Sequence, residues 1–454
     1  MRSVVRVFAT TIAAVGLFCS SAAADVSIPH QRSTLPNGMT VILHESHEVP
    51  LVVVNLSYRV GSRFERAGRT GFAHLFEHLM FMGTRRVPTK AFDAWMEASG
   101  GWNNAWTSQD RTDYYDVGPP SSLDLLLWME ADRLRDIGPL MTLEKLDAQR
   151  EVVRNERRQT HENTPYGKAE LRMNELLYPP GHPYHHPVIG SHADLEAATV
   201  DDVKEFFSRH YDPANASLVV AGDFEATRVA PRIEQLFGTI PSLGIAEDPG
   251  APGFDDRTST LTRVVRETIE DDVELEKIIM AWQSPKHFAP GDAELDLLGT
   301  ALATGKASRL SRALVLDQKL AQSVEAGQDS GQLGSRFIVS ALARPGVSLD
   351  RLEAAIDREL DKVRSRPVEL TELERSKNLV ETAFVTRLES VRERASLLNM
   401  YHAELGNPAA ASLDLERYRS ATAAGIRGAA SSYLMPKARV ILRVVPRAKK
   451  GGAK

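Results

Sequence analysis

The chain predicts an α+β fold in two domains, and three observations carry that reading. About 430 residues remain once an N-terminal leader is set aside, more than one hydrophobic core usually serves. The stretch Ser242-Leu243-Gly244-Ile245-Ala246-Glu247-Asp248-Pro249-Gly250-Ala251-Pro252-Gly253 is rich in Pro, Gly and acid, lacks a hydrophobic period, and reads as a linker. On both sides of it short strand-like runs mix with helical stretches, as hairpin-connected strands and helices do in α+β proteins. The expected division is a leader over 1–24, a first domain over 25–243, a linker over 244–256 and a second domain over 257–454.

The leader carries Arg2 and Arg6, an apolar run from Val7 to Phe18, and Ala22-Ala23-Ala24 before Asp25. This is the pattern of a secretory signal peptide cleaved after Ala24, and its apolar run is too short to span a bilayer. Phe18 is bulky where a lipoprotein signal needs a small residue before Cys19, which argues against lipidation. Cys19 is the only cysteine, so the mature chain forms no disulfide, and the expected compartment is the periplasm. In the first domain, strands over 40–44 and 51–60 alternate with helices over 73–82, 122–136 and 148–159. In the second, strands over 277–282 and 337–343 alternate with helices over 292–303 and 349–365. With 25% charged residues, a net charge of -5 and no long apolar run beyond the leader, the mature chain is expected to be soluble. No basic, aromatic-rich surface points to nucleic acid. The Lys449-Lys450 tail reads as a frayed terminus.

The residues richest in chemistry are His74-Leu75-Phe76-Glu77-His78. Two histidines at i and i+4 stand one helical turn apart and can close on one metal ion. Glu77 beside them is placed to act as general base, which is the inverted zinc-peptidase motif H-x-x-E-H. Gly71 ahead, Gly83 behind, and Ala73, Leu75, Phe76, Leu79, Met80 and Phe81 between them describe a buried helix. Three unpaired polar groups in such a helix would cost several kcal/mol, so the spacing argues for a Zn²⁺ site, one ion per chain.

A catalytic zinc takes three protein ligands and keeps one open position, so a third ligand must come from elsewhere. The charged helical segment Gln149-Arg150-Glu151-Val152-Val153-Arg154-Asn155-Glu156-Arg157-Arg158 offers Glu151 and Glu156. They stand on different faces, so only one can point at the metal.

The stretch from Val60-Gly61-Ser62-Arg63-Phe64-Glu65 through Gly71-Phe72-Ala73-His74-Leu75-Phe76-Glu77-His78-Leu79-Met80-Phe81-Met82-Gly83-Thr84 resembles the pitrilysin family, which includes insulin-degrading enzyme and the mitochondrial processing peptidase. The likeness continues through Asn104-Ala105-Trp106-Thr107, Asp113-Tyr114-Tyr115, Val152-Val153-Arg154-Asn155-Glu156, Pro165-Tyr166-Gly167 and Leu218-Val219-Val220-Ala221-Gly222-Asp223-Phe224. The resemblance implies Glu156 as the third ligand, following the aliphatic pair Val152-Val153, with Glu77 as the catalytic base. Many relatives carry a supporting glutamate where this chain has Gln149, which leaves Gln149 and Glu151 as candidates for residues around the ligands. It also implies that peptide substrates add as a strand to a sheet edge on which Asn104 and Ala105 lie, where Trp102 and Trp106 either line the cleft or belong to the core.

The resemblance further implies two similar domains of one duplicated fold, each with helices and a mostly antiparallel sheet, forming one half of a clam-like chamber. The chain's length then calls for a second half. Relatives whose second domain binds substrate carry an arginine and a tyrosine where this chain has Val315 and Gln322, and the nearby Arg309 and Arg312 are expected in surface ion pairs. The expected partner is a homologous subunit lacking H-x-x-E-H and supplying that pair; a homodimer is the alternative. His182, His185 and His186 fall in a Gly/Pro loop that reads as structural, Asp223 reads as a turn residue, and spacing leaves His161 and Glu162 open. Two other functions compete with a zinc endopeptidase that acts on enclosed peptides. One is a non-catalytic scaffold, which usually loses the motif kept here. The other is a maturase of a single precursor.

Overall fold

The computed structural model describes residues 26–244 and 260–448, so the leader, all of the expected linker but Gly244, and the lysine tail lie outside the described residues. The first half runs β1 (Gln31–Thr34), β2 (Thr40–Glu45), β3 (Val52–Tyr58), α1 (Phe72–Leu79), α2 (Ala91–Ala98), β4 (Trp102–Thr107), β5 (Thr112–Gly118), α3 (Leu123–Asp136), α4 (Leu143–Arg157), α5 (Gly167–Leu177), α6 (His192–Glu196), α7 (Val200–His210), β6 (Ala216–Gly222) and α8 (Ala226–Phe237). The second runs β7 (Val264–Asp271), β8 (Lys277–Ser284), α9 (Asp292–Ala303), β9 (Ala321–Asp329), β10 (Ser335–Ala343), α10 (Leu349–Ser365), α11 (Leu370–Leu388), α12 (Val391–Leu405), α13 (Ala411–Ser420), α14 (Ala423–Tyr433) and β11 (Arg439–Pro446).

The two sheets have the orders β1-β2-β6-β3-β5-β4 and β7-β11-β8-β10-β9. Every pairing is antiparallel except β2 with β6 and β7 with β11. With β1 set aside, both orders trace one path: first strand beside fifth, fifth beside second, second beside fourth, fourth beside third. The chain is α+β, in two copies of one topology, and each sheet leaves its third strand, β4 or β9, at an open edge.

Strands β3 and β6 are buried along their whole length, as near-continuous apolar runs require. One face of the first sheet, including Val52, Val54 and Leu56, packs with Leu75 and Phe76 of α1, Leu126 and Leu127 of α3 and Ile233 of α8. The opposite face, with Ile42, Val53 and Val219, is covered by Ala395, Leu398 and Tyr401 of α12 from the second half. Reciprocally, Ala169, Met173 and Leu177 of α5 cover Ile279, Ala281, Val440 and Leu442 of the second sheet. Each half thus lends a helix to the other. Where α12 crosses the first sheet, Asn399 donates to Asn55 Oδ1 (2.7 Å) and accepts from Ser217 Oγ (2.6 Å), which pairs these three buried side chains.

The expected elements appear with shifted ends. The helix anticipated over 73–82 stops at Leu79, because Phe81 and Met82 turn back in tighter bonds to His78 and Leu79 before Gly83 in the left-handed region. The helix anticipated over 148–159 begins at Leu143, where Thr142 Oγ1 accepts from Lys145 N, and widens into a π-turn over Arg158–Glu162. Among the described residues, no helix is long and apolar enough to cross a membrane.

Candidate metal centre

The N-terminus of α1 is held from below by a carboxylate. Glu65 accepts from the backbone N–H of Gly71 (2.8 Å) and Ala73 (2.7 Å), satisfying donors that an α-helix leaves free and placing negative charge at its positive end. Leu75, Phe76 and Leu79 turn into the core, which leaves His74 and His78 together on the other face with ring centroids 4.8 Å apart. From α4, Glu156 brings Oε1 to 3.7 Å of His74 Nε2 and Oε2 to 3.2 Å of His78 Nε2.

The choice between the two glutamates is therefore made by packing. Glu151 points to solvent and accepts from Arg154 Nη1 at 2.7 Å, so it is no neighbour of the histidines. Gln149 donates to Met82 Sδ at 2.8 Å and does not bond the cluster either. On α4, Glu151 faces away from Glu156, whereas Gln149, seven residues before Glu156, shares its face and contacts Met82 just past α1.

His74, His78 and Glu156 form the only group of three such side chains among the described residues whose ligand atoms all lie within 4.8 Å. The residues fit a zinc ion: two imidazole nitrogens and one carboxylate oxygen are a catalytic donor set, and three donors leave a position open. Burial, reinforced by His78, drives the His74 pKa down to about 4, so its imidazole is neutral and its lone pair free at neutral pH. Glu156 is held below the usual carboxylate range, chiefly by the hydrogen bond with His78, and is anionic. Glu77 lies next to the pair, 9% exposed, and burial pushes its carboxyl up while a 2.5 Å hydrogen bond from Thr107 Oγ1 opposes that shift. A carboxylate whose proton affinity is raised toward neutrality is suited to general-base work.

Thr107 ends β4, so the open sheet edge runs straight to this cluster. Asn104 and Ala105 lie on that edge strand, and the Ala105 N–H is taken by Asn104 Oδ1 (2.8 Å) rather than by another strand. Trp102 is 50% exposed and stands edge-on to Tyr115; Trp106 lies under the Arg111 guanidinium. Neither tryptophan is a core residue. Thr107 and Glu65 were both inside runs singled out in the sequence, yet no local signal gave their roles, because each meets its partner only through tertiary packing.

The loop histidines disperse. His182 accepts from Tyr184 N, His185 meets the Tyr178 carbonyl, and His186 Nε2 reaches Glu65 at 2.9 Å. Glu162 pairs with Arg157 and His192. Asp223 bonds His47 just past β6.

Residues 40–177 match the family model described as insulinase (peptidase family M16), and residues 197–380 match the one described as peptidase M16 inactive domain. The zinc protease PqqE of Helicobacter pylori is 30% identical over 375 residues, covering 82% of this chain and 83% of that protein. The chain belongs to the M16 peptidase family. A probable mitochondrial-processing peptidase beta subunit of Arabidopsis thaliana is 24% identical over 438 residues, covering 93% of this M16 chain and 79% of that protein. The crystal structure of a protease from Helicobacter pylori superposes with a TM-score of 0.85 at 26% identity, covering 93% of this chain and 100% of that one. The first half of the periplasmic protease PqqL from Escherichia coli shares the fold, with a TM-score of 0.74 at 19% identity over 92% of each chain.

Within this M16 chain, α9 is the topological counterpart of α1, and both open on a left-handed glycine, Gly71 (φ 87°) and Gly291 (φ 96°). Counted from those glycines, the places of His74, Glu77 and His78 are taken by Glu294, Leu297 and Leu298, and both leucines are buried. Among the described residues, the second copy therefore carries no such ligand set. Val315 packs against its core, Gln322 lies exposed on β9, Arg309 pairs with Glu372 and Arg312 with Asp317.

Proposed function

We propose that this M16 protein is a zinc-dependent endopeptidase of the H-x-x-E-H type, and the observation that carries the reading is the meeting of His74, His78 and Glu156 beside the buried carboxylate of Glu77. His74 and His78 from α1 and Glu156 from α4 would hold the ion. When bound, zinc supplies Lewis-acid polarisation of the scissile carbonyl and makes water acidic enough to be deprotonated near neutral pH. Glu77 takes that proton and delivers it to the leaving amine, and its raised proton affinity suits both transfers. The substrate lies as an added strand along β4, where its carbonyl displaces Asn104 Oδ1 from the Ala105 amide.

The natural substrates are peptides or unfolded segments that fit a chamber closed by a second subunit. That subunit is a homologue lacking the metal motif and bringing the arginine and tyrosine absent at Val315 and Gln322, which would stabilise the developing oxyanion. The leader pattern over 1–24 supports a periplasmic location.

The test is to purify the mature chain alone and with its motif-less homologue, and to measure zinc content and cleavage of a quenched peptide library. One zinc per chain with cleavage in the mixture is the expected result. In Glu77→Gln, turnover falls by about 10² to 10⁴ with zinc retained. Zinc-loaded protein inert in every combination would overturn the reading in favour of a scaffold or a single-precursor enzyme.

A further inference from the structure

The strand that ends at Thr107 is not held by its own domain alone. The tip of the β4–β5 hairpin, residues 108–111, meets the tip of the topologically equivalent β9–β10 hairpin of the second domain. Asp110 is the joint: its Oδ2 accepts from Gln332 N (3.1 Å), and its Oδ1 accepts from Tyr184 Oη (2.5 Å). Tyr184 Oη in turn accepts from Leu333 N at 3.1 Å. The side chain of Asp110 is 12% exposed, and Arg63, 5% exposed, stands 3.3 Å from it, so the junction is a desolvated charge-assisted contact. Next to it Arg111 faces Glu404 of α12 at 3.7 Å, a second tie to the other half.

Within the first domain the same tip is tied to the segment ahead of α1. Ser62 N and Arg63 N donate to the Ser108 and Gln109 carbonyls at 3.1 and 3.0 Å, and Ser108 Oγ accepts from Asp110 N at 3.1 Å. Only two residues of such backbone, Ser108 and Gln109, separate Asp110 from Thr107, whose hydroxyl orients Glu77. A small displacement at a reacting centre is expensive, since loss of alignment alone can cost orders of magnitude in rate.

We infer that Asp110 and Tyr184 are positioning residues through which the second domain fixes the β4–β5 hairpin and thereby the hydroxyl of Thr107 and the carboxylate of Glu77. The second copy, without a metal motif of its own, is then a clamp on the site of the first. The inference rests on the peptidase reading for its catalytic consequence, though not for the clamp itself.

The experiment uses the mature chain with its partner subunit, as wild type, Tyr184→Phe, Asp110→Asn, Thr107→Val and the double variant Tyr184→Phe/Thr107→Val. Hydrogen–deuterium exchange over 102–112 is read with and without zinc, and kcat and KM are read on a quenched peptide. In Tyr184→Phe, which deletes a single oxygen, exchange over the hairpin speeds up and kcat falls about tenfold, with KM and zinc content unchanged. The double variant loses no more kcat than Thr107→Val, because both changes break one chain of contacts. Unchanged exchange overturns the clamp; faster exchange with intact kcat, or losses that multiply in the double variant, overturns its link to Glu77. If no peptide is cleaved even by wild type, the peptidase reading fails while the exchange data still decide the clamp.

Discussion

At the scale of single residues, the site depends on how little freedom each donor has. His74 and His78 are fixed by helical spacing, but Glu156 is fixed only by the packing of α4 against α1, and it is the most exposed of the three at 35%. Removing it deletes a donor without disturbing the core. In Glu156→Gln, whose amide is a poorer donor than a carboxylate, zinc affinity measured by competition with a chelator should fall by at least tenfold to a hundredfold, with the unfolding temperature of the metal-free protein unchanged. Glu151→Gln is the matched control, because its partner is Arg154 at the surface, and zinc affinity should stay at the wild-type value.

At the scale of elements, α1 is oriented by a buried pair. Glu65 caps the helix, and His186 from the Gly/Pro loop meets Glu65 Oε2 at 2.9 Å. Burial by itself lowers the His186 pKa, but the contact with Glu65 more than offsets it and the net shift is upward from 6.5. Burial pushes Glu65 up as well, with His186 opposing. A histidine whose folded pKa is raised contributes stability that is complete below its unfolded value and is lost as pH rises through the folded one. The unfolding-temperature gap between wild type and His186→Ala should therefore be widest below pH 6.5 and narrow above it. A gap independent of pH would mean that the loop, not the charge, holds the helix. Glu65→Ala strips acceptors from Gly71 and Ala73 and should cost about 2 kcal/mol in denaturant unfolding.

At the scale of the whole molecule, α5 and α12 each cover the other copy's sheet, so the two copies are expected to unfold as one body. Expressed alone, residues 26–244 would leave Ile42, Val53 and Val219 without the α12 cover, each worth roughly 1.5–3 kcal/mol of burial. The expected outcome is one calorimetric transition for the intact chain and an aggregating or molten first half. Two separate transitions would show that the swapped helices contribute little.

What the residue order determined by itself is what short-range physics writes locally. The periods over Thr40–Glu45, Asp292–Ala303 and Leu349–Ser365 set strands and helices close to where they are found, because apolar spacing decides which face a segment can bury. The i, i+4 spacing of His74 and His78 with Glu77 between them likewise needs no tertiary information. The edge strand β9, the cap on α1 by Glu65 and the meeting of the two hairpin tips were settled only in the folded molecule, and helical spacing alone left Glu151 and Glu156 open, a choice made by the packing of α4 on α1. Each of these joins residues far apart in the chain, and such contacts are selected by the shared burial of whole faces, which no local window of sequence contains.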